Sequence, residues 1–112
     1  MAGENEWYEE GVTTNPAGER VRWAWVQTTI PSEDVPSSQE QGPLRVTTVW
    51  EQGPWPVTTI VGTGMEGYNV LAKGVDGSDR AALEAEHRRV VKLLKTDGLK
   101  AVRPQELGSS TR

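Results

Sequence analysis

Glu84 and His87 stand three residues apart, the i, i+3 spacing with which a helix presents a carboxylate and an imidazole to a carboxylate-bridged di-iron site. Such a site needs a second copy of the motif and further glutamates on facing helices. This chain has one histidine and one helical pattern, so His87 reads as a member of an apolar helix stripe or its margin, and no metal site is assigned. Nucleophilic catalysis requires a Ser, Thr or Cys beside a base that a third group orients, but the serines fall in connectors and in the tail. The acids that could serve as a glycosidase pair lie mostly on the helix or in polar loops. Gly62-Thr63-Gly64-Met65-Glu66-Gly67 matches G-x-G-x-x-G after a strand, a pattern that cradles pyrophosphate when a helix comes next. Here the next segment, Tyr68 to Gly74, has the character of a short strand, and a glycine turn between strands is the better reading. No catalytic, cofactor-binding or metal-binding residue is therefore expected.

The residues suited to recognition are of another kind. Five tryptophans substitute for a complete lack of Phe. Trp23, Trp25 and Trp50 fall in strand interiors, whereas Trp55 sits between Pro54 and Pro56 at a hairpin tip, where a rigid aromatic can anchor a partner. Trp7 and Tyr8 follow an acidic N-terminal arm, residues 1–6, that could dock on a neighbour. Val49 and Ile60 make the second face of the central hairpin more apolar than solvent alone requires. Arg88, Arg89, Lys92 and Lys95 form a basic C-terminal helix face.

These residues must be positioned by strands and one helix. Residues 44–62 (LRVTTVWEQGPWPVTTIVG) hold two β-branched runs on either side of Gly-Pro-Trp-Pro, the strongest hairpin signal in the chain. Leu44, Val46, Thr48 and Trp50 share one face, and an even-length connection would add Trp55, Val57, Thr59 and Val61 to it. That face is expected to turn inward. Trp7 to Thr14 and Arg20 to Ile30 form a first hairpin around Asn15-Pro16-Ala17-Gly18, with Val21, Trp23 and Trp25 expected to join the core. Residues 31–43 are polar and Pro/Ser-rich with Val35 alone apolar, the composition of an exposed connector. Residues 78–96 form the helix, capped by Ser78 or Asp76, with Leu83, His87, Val90, Val91 and Leu94 as its stripe and Gly98 beyond its end. Leu99 to Val102 suits a short edge strand, and residues 104–112 are tail. The expected fold is α+β: two β-hairpins forming a mostly antiparallel sheet with one C-terminal helix packed on one face.

Length and charge bound the function. A chain of 112 residues suits one domain, and the absence of cysteine excludes disulfides and thiolate metal sites. The acidic start and the lack of an apolar run near the roughly 18 residues of a span imply neither a membrane protein nor secretion by a signal peptide. The net charge of −4 hides a gradient: residues 1–40 hold eight acids against two arginines, while residues 88–112 hold seven bases against two acids. Opposite ends of this kind favour a charged neighbour or self-association, and the net acidity disfavours nucleic acid as a partner.

The stretch Val57-Thr58-Thr59-Ile60-Val61-Gly62-Thr63-Gly64-Met65-Glu66-Gly67, followed by Ala82, His87 and Val90-Val91, resembles small uncharacterised proteins of actinobacterial phages. These carry a Thr-x-Val-Phe-Gly-Gly-x-x-Asp-Gly strand and turn before a histidine-containing helix. The resemblance covers about a third of the chain. Val61 replaces the family's Phe, Thr63 its second Gly and Glu66 its Asp. It implies no activity or cofactor, and points to a protein in a virion or in the cytoplasm of a bacterial host. The expectation is a non-enzymatic structural or protein-interaction component, a minor or accessory part of a phage particle binding other subunits as a homo-oligomer or within the virion lattice. The alternative is a small regulator binding nucleic acid or a host protein through Arg88, Arg89, Lys92, Lys95, Lys100 and Arg103.

Overall fold

The computed structural model of the chain describes residues 6–36, 42–53, 55–62, 67–99 and 102. Its strands are β1 (Trp7–Thr14), β2 (Arg20–Ile30), β3 (Leu44–Glu51), β4 (Val57–Gly62) and β5 (Tyr68–Leu71), and helix α1 covers Arg80–Asp97. The strands lie in the order β1-β2-β3-β4-β5, each antiparallel to its neighbour. The two expected hairpins thus merge through β2 and β3 into one meander, and α1 packs against β2 and β3 on one face. This is the α+β arrangement read from the sequence, with β5 added at the edge.

Local chemistry sets each boundary. Asn15 holds the β1–β2 turn through its side-chain Oδ1, which accepts from the backbone of Ala17 and Glu19 at 3.0 and 2.9 Å. Asp79, rather than Ser78 or Asp76, is the N-cap of α1 and accepts from Ala81 N at 3.1 Å. Asp76 serves the turn before it, accepting from the backbone and hydroxyl of Ser78 at 3.0 and 2.6 Å. The helix ends at Gly98, whose φ of 84° lies in the left-handed region and whose N–H donates to Leu94 O at 3.0 Å. A Cβ at Gly98 would sit 2.6 Å from the carbonyl oxygen of Pro36, so the helix end abuts the segment after β2.

That segment is not the free spacer its composition suggests. Ser32–Asp34 form a 3-10 turn, and Val35 is completely buried in the main core. One apolar residue in a polar stretch is enough to tie it down. Leu99 and Val102 are likewise joined by a tight-turn hydrogen bond of 3.0 Å in place of the expected edge strand, while residues 100 and 101 lie outside the described residues. Residues 63–66 of the glycine run also lie outside them, but β4 and β5 pair antiparallel directly across that connection. A strand, not a helix, therefore succeeds the glycines, which removes the geometry a pyrophosphate cradle needs.

Two corrections concern which way side chains point. On β2 the buried residues are Ala24, Val26, Thr28 and Ile30, so Val21, Trp23 and Trp25 face away from the helix. Small and β-branched side chains fit beneath a helix lying close across the sheet, and the pairs Val26↔Thr48 and Ile30↔Leu44 fix that parity. On β4 the last pair is Val49↔Val57, leaving seven residues between them. An odd connection puts Thr58 and Ile60 opposite Thr48 and Val46 on the inner face and turns Val57, Thr59 and Val61 outward. Trp55 lies beyond the ladder and is 41% exposed, so it does not join the core.

The core is divided. Ile30, Leu44, Val46, Ile60, Val70, Val90 and Leu94 belong to one apolar cluster, and Ala24, Val26, Trp50 and Leu83 to a second. Along α1, His87 falls between Leu83 of the second cluster and Val90 and Leu94 of the first. It is fully buried there, together with Thr28, Thr48 and Thr58 from three adjacent strands.

Candidate interaction surface

The face of the sheet opposite α1 carries the residues available for recognition. Alternation along the strands and the pairing registers place Trp7, Glu9 and Gly11 of β1, Trp23 and Trp25 of β2, and Arg45, Thr47, Val49 and Glu51 of β3 on it. Val57, Thr59 and Val61 of β4 and Asn69 and Leu71 of β5 complete it. One row runs Glu9, Trp25, Val49, Val57, Leu71, apolar across four strands. The next row, Trp7, Gln27, Thr47, Thr59, Asn69, is mostly polar and held by side-chain hydrogen bonds from Gln27 Nε2 to Thr47 Oγ1 (3.2 Å) and from Thr59 Oγ1 to Asn69 Oδ1 (2.8 Å).

Trp7 is 60% exposed, and Val49 and Val61 are 41% exposed each. Among the described residues no helix or strand covers this face. Antiparallel sheets ordinarily turn a polar face to water, so β-branched and aromatic side chains there mark a surface suited to a partner. Trp23 is held close: an added Cβ on Gly11 would lie 2.5 Å from its ring, so the ring lies directly against the β1 backbone. A shallow depression of about 320 Å³ between Thr29, Pro43, Arg45, Val61 and Gly62 closes one end of the face.

Of the residues expected to bind partners, the structure brings Trp7 and Val49 onto this face and leaves Trp55 exposed at the hairpin tip. Ile60 is fully buried against the helix side and is withdrawn, a direct consequence of the odd β3–β4 connection. Tyr8 also belongs to the helix side. Its ring packs against the Ala24 cluster and under the Arg80 guanidinium at 3.9 Å, and its hydroxyl donates to Glu10 at 2.5 Å. Burial first, and the Glu10 carboxylate second, push that hydroxyl up to about 12. Trp23, Trp25 and Val57, which apolarity alone places in the core, are members of this outer face. Their signal is present in the period-2 spacing, but only the register says which way it points.

The basic helix face is partly neutralised. Arg88 makes two hydrogen bonds to Glu6, at 3.0 and 2.7 Å, and lies 3.9 Å from Glu84. The hydrogen bond from Arg88 holds the Glu6 carboxyl below the usual carboxylate range. Arg89 forms a forked pair with Glu86 at 3.0 and 2.9 Å, and Arg80 pairs with Glu84 at 3.1 Å. Lys92 and Lys95 are exposed on the same helix. Lys100 and Arg103 lie outside the described residues.

His87 is tied off inside the fold. Thr28 Oγ1 lies 2.7 Å from Nε2, Thr48 Oγ1 lies 3.0 Å from Nδ1, and Thr48 and Thr58 are linked hydroxyl to hydroxyl at 2.8 Å. Either neutral tautomer completes this chain, with the hydroxyl protons all turned one way or all turned the other. Burial pushes the imidazole down to about 4, against a weaker opposing pull from Glu6. Among the described residues no group of three His, Cys, Asp or Glu is placed to hold a metal ion, and no helix is long and apolar enough to cross a membrane. Comparison of the chain with protein-family models, with curated proteins and with solved structures gives no match.

Proposed function

We propose that this chain is a non-enzymatic structural or interaction protein, a minor or accessory component of a bacteriophage particle, which binds other protein subunits through the sheet face opposite α1. The observation that carries the reading is that face: Trp7, Val49 and Val61 stand exposed on it beside Trp23 and Trp25, on a rigid five-stranded support. Subunit interfaces are enriched in such aromatic anchors, and an interaction module needs surface and stiffness rather than a deep cleft. The phage assignment comes from the sequence resemblance around residues 57–67. A role inside a particle also suits the engagement of Arg88 and Arg89 by carboxylates, which lowers the cationic charge α1 offers a phosphate backbone.

The test is incorporation. Purified particles should contain the chain, detected by mass spectrometry after density-gradient sedimentation. A Val49→Arg variant that melts at the wild-type temperature should be lost from them. Absence of the wild-type chain from particles, or undiminished incorporation of the folded variant, would refute the reading.

A further inference from the structure

The outer face carries charge in a pattern that matches itself. Along β3 its side chains run Arg45, Thr47, Val49, Glu51: a cation at one end, an acid at the other and apolar or β-branched residues between. A two-fold axis lying in the plane of this face and across the strands reverses strand direction while keeping strand order. It sets Arg45 of one copy over Glu51 of the other, twice, and between these pairs lays the Trp25-Val49-Val57 row of each copy along the Gln27-Thr47-Thr59 row of the other. From this geometry we infer that the face pairs with a second copy of this chain, the two sheets stacking antiparallel about that axis with Arg45 and Glu51 fixing the register. The inference rests on the reading of the outer face as a subunit-binding surface and names its occupant.

The size of the face is adequate. Five strands about 4.8 Å apart, with a mean length near that of the eight-residue β3 and a rise of about 3.3 Å per residue, present roughly 600 Å². Two such faces bury roughly 1,200 Å², above the ~1,000 Å² that specific interfaces need. Association through the long free edge at β1 is opposed by charge. Pairing β1 with β1 of a second copy would bring Glu9 and Glu10 of each strand together, the device by which edges resist self-pairing. The face, not the edge, is the self-complementary surface.

The experiment is sedimentation equilibrium of the full chain over a concentration series, with far-UV circular dichroism confirming the fold of each variant. Wild type should reach twice the 12.3 kDa monomer mass. Arg45→Glu and Glu51→Arg should each weaken the dimer roughly tenfold or more, because each sets like charges opposite one another. The double variant R45E/E51R should restore it, and an equimolar mixture of the two single variants should form the mixed dimer in preference to either homodimer. A strictly monomeric wild type overturns the inference, as does a dimer that Val49→Arg and Arg45→Glu leave untouched. These outcomes are separable from failure of the functional reading. A monomeric chain whose V49R variant is still lost from particles removes self-pairing alone, whereas a dimer with the expected charge swap that is absent from particles removes the virion role alone.

Discussion

Lowering the pH from 7 to 5 should destabilise this protein through one residue. His87 is the sole histidine, is fully buried, and has both ring nitrogens engaged by threonine hydroxyls, with no carboxylate among the described residues in hydrogen-bonding contact. Burial holds its proton affinity down from an ordinary 6.5 to about 4; the distant pulls of Glu6 and Glu84 oppose that shift, and Arg88 adds to it. The folded state thus binds the proton less readily than the unfolded chain, so the stability involved is complete above pH 6.5 and is lost as pH falls toward 4. Linkage between those two values gives a loss of about 2 kcal/mol between pH 7 and pH 5, rising to about 3 kcal/mol at pH 4. Against a typical domain stability of about 5–15 kcal/mol this is large. Glu6 and Asp76, whose affinities are also lowered, contribute in the same direction but from ordinary values of 4.5 and 3.8, so their loss belongs to more acid conditions. Urea unfolding followed by tryptophan fluorescence at half-unit pH steps measures the slope. His87→Gln, which keeps a donor and an acceptor, should lose most of it between pH 7 and 5. Proton NMR of the lone imidazole gives its affinity directly. A midpoint near 6.5 in the folded protein, or an equal slope in His87→Gln, would refute the reasoning.

Thr48→Val should cost about 1–3 kcal/mol in urea unfolding, since it strips the hydroxyl shared by His87 and Thr58 while nearly conserving volume. Thr47→Val, one residue away on the partly exposed outer face, should cost less. Gly98→Ala and Gly18→Ala both force alanine to a φ of 84°, for about 1–2 kcal/mol, but only Gly98 also faces a carbonyl oxygen at 2.6 Å. Thermal melts should therefore rank Gly98→Ala clearly below Gly18→Ala, and equal losses would contradict the close approach of Pro36. Gly11→Ala should displace the Trp23 ring from β1, read as a change in near-UV circular dichroism; an unaltered spectrum would mean that the ring does not rest there. Glu6→Gln should lower stability by no more than about 1 kcal/mol, because Arg88 is more than half exposed, and the difference should shrink in high salt.

How much of this is legible in the sequence depends on whether a strand has one apolar face or two. On β3, Leu44, Val46 and Trp50 oppose Arg45, Thr47 and Glu51, and the inward face comes from alternation alone. On β2 both faces are apolar, Ala24 and Val26 against Trp23 and Trp25. Size points to the tryptophans for the core, while register and the space beneath α1 choose the small residues. For β4 the parity turns on one residue in a connection containing two prolines, which composition does not count. The helix stripe is legible from its 3.6 period, but its cap is not, because Asp76, Ser78 and Asp79 are all suitable types within four positions and the structure selects Asp79. The hydroxyl–imidazole chain is invisible in the sequence: two pairing registers together bring Thr28 and Thr48 to His87 and Thr58 to Thr48. The same dependence on register moves Ile60 out of the recognition surface and Trp23 and Trp25 into it.

Every strand of this meander finds its mate immediately before or after it in the chain, whereas α1, which begins at Arg80, docks on β2 and β3, partners completed at Ile30 and Glu51. The ribbon can therefore zip up while translation continues, but its hydrophobic underside stays uncovered until the helix has left the ribosome. Nascent chains stalled ahead of residue 80 would carry two sticky surfaces instead of one. In the cell, that interval is the natural point for a chaperone to engage.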